Sequence, residues 1–380
     1  MLPSTNHVAP ESPEALAAVL ARAAESKQTI TLSGRRSKDR MAGPLSPSGL
    51  AVSTTGLTRL LSYEPKDLTV SVQAGMPYSE LSRMLAESRQ MVPLDPPFAQ
   101  EATVGGVIAA NSSGPRRRQY GTARDQVIGM TFATLEGKLV KTGGMVVKNV
   151  AGLDMGKLLI GSFGTLAAIA IVNFKVTPMP EVERLFLLTF DTLEGAVEAR
   201  DKILKSVLQP SGVDLLNRLA AKLLGWTGYV LAVRAGGNAA VIGRYEKELR
   251  GMGRVEIGDT EAASQIQEFT PRFLQKREDA AVVRISCTLA QLSAVVGAIN
   301  APVLARAANG VCYAYFDDAD AASEVAGKTP NAIIEFASEA RKTTLNLWPS
   351  PGPDFELMKR IKKMFDPDRL LNRGRLYGQI

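Results

Sequence analysis

The chain has 380 residues, 45% of them hydrophobic, with 45 Lys and Arg against 38 Asp and Glu for a formal net charge of +7. That length exceeds what one core usually supports, so two domains are expected, and a modest basic excess spread along the chain suits an anionic ligand rather than nucleic acid. Two cysteines make no disulfide framework, and a lone histidine, His7 in a terminal segment, excludes zinc sites, Ser-His-Asp triads and imidazole base catalysis, so that any redox chemistry must come from a cofactor.

No basic segment followed by an apolar one opens the chain, and no run reaches about 18 apolar residues. A cytoplasmic protein is expected. Ser12 reads as the N-cap of an amphipathic helix from Pro13 that places Leu16, Val19, Leu20 and Ala23 on one face. A strand at Thr29 to Ser33 follows, then the loop Gly34 to Gly43, GRRSKDRMAG, whose glycine and basic side chains suit a phosphate, and a strand at Leu50 to Ser53. EPKDLTVSVQAGMPYSELSRMLAE, Glu64 to Glu87, reads as a half-buried strand with Leu68, Val70 and Val72 on one face, a turn at Ala74-Gly75 and a helix carrying Leu81, Met84 and Leu85. Pro93, Pro96 and Pro97 impose an extended path before the run Ala102 to Gly121. Gly105, Gly106, Ser112, Ser113, Gly114 and Gly121 in that run let main chain lie close to a ligand.

Strands at Val127 to Leu135 and Leu139 to Thr142 form a hairpin with Glu136-Gly137 as a two-residue turn, and a short apolar helix, a Gly-Ser-Phe-Gly turn and a strand at Ala168 to Val176 follow. After Pro178 and Pro180 the pattern changes to split βαβ units. Their strands fall at VERLFLLTF, Gly212 to Leu216, Tyr229 to Arg234, Val255 to Ile257, Ala281 to Ser286, Val303 to Ala307 and Val311 to Phe316, with helices at Leu193 to Val207, Ala239 to Gly251 and Ala290 to Ile299. Cys312 reads as a core residue, and Phe355 to Phe365 as a helix ending at Asp366-Pro367.

Taken in order, SGRRSK, EPKDLTVSVQAG, PLDPPF, TVGGVIAANSSG, YGTARDQVIGM, GGMVVKNVAGLD, GSFGTLAAI and FDPDRLLNRGRLY resemble the flavin-binding fold of the vanillyl-alcohol oxidase and p-cresol methylhydroxylase (PCMH) type. More closely, GPRRRQYGTARDQVIGM and VVKNVAGLDMGKLLIGSFGTL resemble the FAD-binding subunits of glycolate oxidases, the GlcE family. The resemblance implies an α+β protein: a PCMH-type FAD-binding domain of two subdomains over 1–178, a ferredoxin-like α+β cap domain over 179–346, and a segment 347–380 returning to the FAD domain. It implies a FAD pyrophosphate cradled by Gly34, Arg35, Arg36, Ser37 and Lys38, and an isoalloxazine and ribityl region approached by Pro93, Leu94, Asp95, Thr103, Val104, Gly105 and Gly106. Ala109, Ser112, Ser113, Gly114 and Gly121 would continue the cradle, with Gly164 and Ile169 on the adenosine side and Phe163 in place of the family's acid.

With neither His nor Cys near Gly34, FAD is expected to be noncovalent. The related catalytic subunit GlcD uses cap histidines to bind a metal and deprotonate the hydroxy acid; this sequence has none of them, so no catalytic residue and no metal is assigned. The resemblance then implies a FAD-binding subunit of a glycolate (2-hydroxy acid) oxidase complex, partnered by the flavoprotein subunit GlcD and the iron–sulfur subunit GlcF. Its role there is electron transfer or assembly, at most peripheral at the membrane through the complex. The competing readings are a stand-alone FAD-dependent 2-hydroxy acid dehydrogenase with a Tyr or Lys base in the cap, and a flavin-free scaffold.

Overall fold

A computed structural model describes residues 6–45, 48–145, 155–275, 277–349 and 351–380. Two compact units share the chain: Met1–Ser113, Thr122–Met179 and Pro351–Ile380 form the first, and Gly114–Gly121 with Pro180–Ser350 the second.

In the first unit, strands Asn6–Val8, Leu50–Ser53 and Ile30–Ser33 form a small parallel sheet with Leu50–Ser53 in the middle. Ser12 caps the helix Pro13–Glu25, accepting from Ala15 N at 3.1 Å. Leu16, Val19, Leu20 and Ala23 of that helix pack with Ile30, Leu50 and Val52 and with Ala133, Ala168 and Ala170 of a second sheet. This second, antiparallel sheet runs Leu60–Glu64, Thr69–Gln73, Ala168–Lys175, Val127–Ala133, Leu139–Gly143. A register shift opposite Thr131 and Phe132 lets Ala168 and Ala170 face one core while Val172 and Phe174 face another, built with Leu81, Leu85, Val104, Val107 and Ile108.

Three local expectations change. Every residue of Thr69–Gln73 is buried, so this strand is covered on both faces rather than half exposed. Leu68 stands outside it with φ 54°. The hairpin after Ala133 closes through Thr134 N to Lys138 O at 3.0 Å with Gly137 at φ 75°, so Leu135, Glu136 and Gly137 form a three-residue loop with a left-handed glycine at its end. The chain's last segment rejoins this unit at its first sheet, where Ile30 N donates to Leu370 O at 2.8 Å and Asn372 N to Ile30 O at 3.0 Å.

The second unit is an eight-stranded, wholly antiparallel sheet. Val182–Phe190, Gly212–Leu216, Tyr229–Gly237 and Arg254–Gly258 are the first to fourth strands of one half, with helices Leu193–Lys205 and Ala239–Arg250 after the first and third. Their spatial order is fourth, first, third, second. Ala281–Ser286, Val303–Arg306, Val311–Phe316 and Ala332–Phe336 repeat the scheme, with helices Leu292–Ala298 and Ala319–Lys328, and the two halves join through their second strands, where Asp214 lies opposite Arg306. The βαββαβ order with this strand sequence is the ferredoxin-like arrangement, here present twice. One sheet face carries the helices and the apolar core of Phe186, Leu231, Val233, Val283, Val303 and Ala314.

Candidate functional site: a cationic groove in the first unit

The strand Ile30–Ser33 ends at Gly34, and the loop beyond it folds as two turns in series, Asp39 N donating to Arg36 O at 3.2 Å and Met41 N to Lys38 O at 2.9 Å. Arg36 takes the left-handed conformation, φ 60°. The N–H groups of Arg35, Arg36 and Ser37 donate to no acceptor among the described residues. Consecutive free amides in a loop that turns through a left-handed residue make an anion-binding concavity. They line an open groove, together with Thr103, Gly105, Gly106, Ala109, Phe163, Gly164, Ile169, Asn372 and Arg375. Arg35, Arg36, Lys38 and Arg375 face it against one acid, Asp39, which Arg36 Nε already engages at 2.7 Å. Lys38 is buried, with its ammonium 5.8 Å from the Phe98 ring centroid.

The opposite wall begins at Thr103, whose hydroxyl accepts from Gly106 N at 3.2 Å and caps the one-and-a-half-turn helix Val104–Ala109. A Cβ on Gly34 would lie 2.3 Å from Thr103 Oγ1, and one on Gly105 would lie 2.8 Å from the Ala74 Cβ. These two glycines therefore serve the close approach of protein to protein. At Gly105 that corrects the expectation that a missing side chain makes room for a ligand; at Gly106 a Cβ would meet only Thr103 Oγ1, at 3.1 Å.

The third wall is the turn Ser162 to Thr165. Phe163 and Gly164 are both left-handed, φ 52° and 69°, and the carbonyl of Phe163 accepts from Asn372 Nδ2 at 2.7 Å. Its ring sits 5.7 Å from the Arg375 guanidinium, itself bonded through Nη1 to Gly43 O at 2.8 Å. Phe163 thus holds the wall through its backbone and ring.

The groove gathers Gly34, Arg35, Arg36, Ser37, Lys38, Thr103, Gly105, Gly106, Ala109, Gly164 and Ile169. Pro93, Leu94, Asp95, Val104, Ser112, Ser113, Gly114 and Gly121 do not line it. Leu94 and Val104 are fully buried in the apolar core. Ser112 is buried with a hydroxyl that has no partner among the described residues. Gly114 and Gly121 bound the segment that belongs to the second unit, where Arg116 Nη2 donates to both carboxylate oxygens of Glu183 at 3.0 and 2.8 Å. Most of GGMVVKNVAGLD, residues 146–154, lies outside the described residues. Asn372, Arg375, Thr54 and Ala167 line the cavity without having been picked out from sequence; the signal for the first two was NRGR near the chain's end.

His7 is exposed on the strand Asn6–Val8 and is not a lining residue, and among the described residues no group of His, Cys, Asp and Glu could hold a metal. In the second unit, the sheet face opposite those four helices carries Asp214 with Arg306 at 2.8 Å and Arg284 with Glu335 at 3.1 Å, beside Tyr313. Burial pushes the Tyr313 and Tyr245 phenols up to about 12 and raises Tyr315 further still, so these hydroxyls are neutral donors near pH 7 and not bases. Glu335 is also raised by burial, against the opposing charge of Arg284.

This fold and this groove define a protein that holds an extended anionic cofactor. Residues 5–143 match the FAD binding domain model and 350–376 the C-terminal domain model of FAD linked oxidases. The glycolate oxidase subunit GlcE of Escherichia coli is 33% identical over 243 residues, 62% of this chain and 68% of that protein. GlcD of Bacillus subtilis is 28% identical over 56% of this chain, a match that spans only 45% of GlcD. The solved structure of 4-ethylphenol oxidase from Gulosibacter chungangensis shares the fold, with a TM-score of 0.73 over 98% of this chain and 89% of that one at 15% identity. The chain belongs to the family of FAD-linked oxidases that includes glycolate oxidase subunit GlcE. It is a FAD-binding oxidoreductase with the PCMH-type fold.

Proposed function

We propose that this chain is the FAD-binding subunit of a 2-hydroxy acid oxidase complex, acting with a GlcD-type flavoprotein and a GlcF-type iron–sulfur subunit on glycolate. Its part in that complex is electron transfer or assembly rather than the main oxidation site. The observation that carries the reading is a groove equipped to hold FAD in a chain whose single histidine lies elsewhere.

The residues fit the cofactor. The free amides of Arg35 to Ser37, with Lys38, Arg36 and Arg375, would hold the pyrophosphate, while Leu32, Ala109, Ala110, Ala167 and Ile169 offer apolar contact to its ring systems. When bound, FAD supplies acceptance of two electrons. No His or Cys lines the groove, which supports noncovalent attachment. Removal of a hydroxyl proton needs a nearby base of suitable pKa, and the phenols of Tyr245, Tyr313 and Tyr315 are pushed the wrong way for that task. This weighs against the stand-alone dehydrogenase.

The test is the visible spectrum of the purified chain with glycolate, alone and after co-expression with the other two subunits. The flavin should stay oxidised in the chain alone and bleach in the assembly. Turnover by the isolated chain at the rate of the assembly would overturn the proposal.

A further inference from the structure

We infer that the second unit binds a small monocarboxylate through the guanidinium of Arg234. Arg234 lies in the strand Tyr229–Gly237 between Val233 and Ala235, which pack in the apolar core on the helix-bearing side of the sheet. Alternation therefore turns Arg234 to the opposite face. There it is 8% exposed, its Nε is buried without a partner, and its side chain makes no hydrogen bond or ion pair among the described residues. The backbone beneath is anchored, the Arg234 carbonyl accepting from Ser211 N at 2.9 Å and Ser211 Oγ at 3.2 Å.

The acids that could neutralise Arg234 are engaged elsewhere. Register sets it opposite Leu185 on one side and Gly212 on the other, so Glu183 and Asp214, each two residues along on the same face, are its diagonal neighbours. Both carboxylate oxygens of Glu183 accept from Arg116 Nη2, at 3.0 and 2.8 Å, and Asp214 Oδ2 accepts from Arg306 Nη1 at 2.8 Å. Three guanidinium groups thus share two carboxylates, and Arg234 is the one left over. A guanidinium cannot shed its proton, and a charge so far removed from water is costly without a counter-ion. The partner that completes this site is an anion.

Its charge and size follow from the surroundings. A phosphate dianion would set a second negative charge beside Glu183 and Asp214, whereas one carboxylate neutralises one guanidinium and matches its two-pronged donor geometry. Gly212 carries no side chain opposite Arg234, but Pro115 closes over it: a Cβ on Gly212 would lie 2.9 Å from the Pro115 Cβ. With so little of Arg234 open, the group attached to the carboxylate must be small. Acetate is the simplest member of this class, and it has no hydroxyl to oxidise, so its binding tests the site apart from any oxidation by the complex.

The experiment titrates the FAD-loaded full chain with sodium acetate by calorimetry at constant ionic strength, with chloride, inorganic phosphate and the uncharged acetamide as parallel titrants. One saturable acetate site is expected, absent with chloride and acetamide and at least about tenfold weaker with phosphate. Arg234→Lys, which keeps the charge and loses the fork, should weaken acetate at least about tenfold, and Arg234→Gln should abolish the site. Acetate should also raise the melting temperature of wild type and leave that of Arg234→Gln unchanged. No acetate site in wild type, acetate binding that survives in Arg234→Gln or is undiminished in Arg234→Lys, or phosphate binding as tight as acetate would overturn the inference.

Discussion

Asn372 is bonded to both backbone polar groups of Leu32: its Oδ1 accepts from Leu32 N at 2.7 Å and its Nδ2 donates to Leu32 O at 3.0 Å. The same Nδ2 reaches Phe163 O, so one side chain near the chain's end ties the strand leading into the Gly34 loop to the turn that forms the third wall. Asn372 is also left-handed, φ 39°, a conformation that asparagine tolerates better than most residues. Asn372→Gly keeps the backbone and removes all three bonds. We expect it to cost about 2 kcal/mol or more in urea unfolding, because buried groups lose their partners, and to weaken FAD binding. Asn372→Asp, which keeps the acceptor and loses the donor, should fall between. An Asn372→Gly protein with unchanged stability and FAD affinity would remove Asn372 from this role.

Much of this groove is legible in the sequence. Gly34 to Lys38 follows a strand with clear alternation, and Ser12 with Leu16, Val19, Leu20 and Ala23 gives a capped amphipathic helix that the structure keeps. The losses have physical causes. Asn372 meets Leu32 across 340 positions, a distance no local pattern encodes. Gly105 reads as open space for a ligand because a glycine's neighbours are invisible until the chain folds. The helix Ala319–Lys328 and the strand Ala332–Phe336 were not read from sequence: the former is rich in alanine and weakly patterned, and without them the duplication in the second unit does not show. Val104 is buried in the apolar core while Gly105 and Gly106 line the groove, so a motif assigned as a block takes in residues that the groove does not.

The contact between Gly34 and Thr103 gives a test of the two walls as one unit. Gly34→Ala puts a methyl group against Thr103 Oγ1 and should cost roughly 1–3 kcal/mol, as overpacking does. Thr103→Ala removes the obstruction and a cap worth about 1 kcal/mol. The double variant should therefore be more stable than the sum of the two losses allows. Strict additivity in chemical denaturation would show that the walls do not meet there.

The groove's cations should differ in weight. Lys38 is buried, whereas Arg36 is mostly exposed and already paired with Asp39. Lys38→Met should weaken FAD at least about tenfold, and Arg36→Ala less than about threefold with a stronger salt dependence, since exposed ion pairs are screened. Riboflavin, which has no phosphate, supplies the control. If Lys38→Met weakened riboflavin and FAD alike, or left FAD binding unchanged, Lys38 would not be reading the pyrophosphate.

The buried phenols predict an alkaline limit to stability. Tyr313 and Tyr245 rise from 10.0 to about 12 in the folded protein, chiefly through burial. Between those values the unfolded chain has lost its phenolic protons while the folded one keeps them, so the unfolded state binds fewer protons and stability falls as pH rises from about 10 to about 12. Below pH 10 both states hold the protons and these tyrosines impose no slope. Tyr313→Phe cannot ionise in either state, and its thermal midpoint should drop less steeply than that of wild type across this window. The readout at 295 nm should agree, with part of the tyrosine absorbance appearing only when the protein unfolds. Parallel pH profiles for wild type and both Tyr313→Phe and Tyr245→Phe would show that neither phenol is held protonated by the fold.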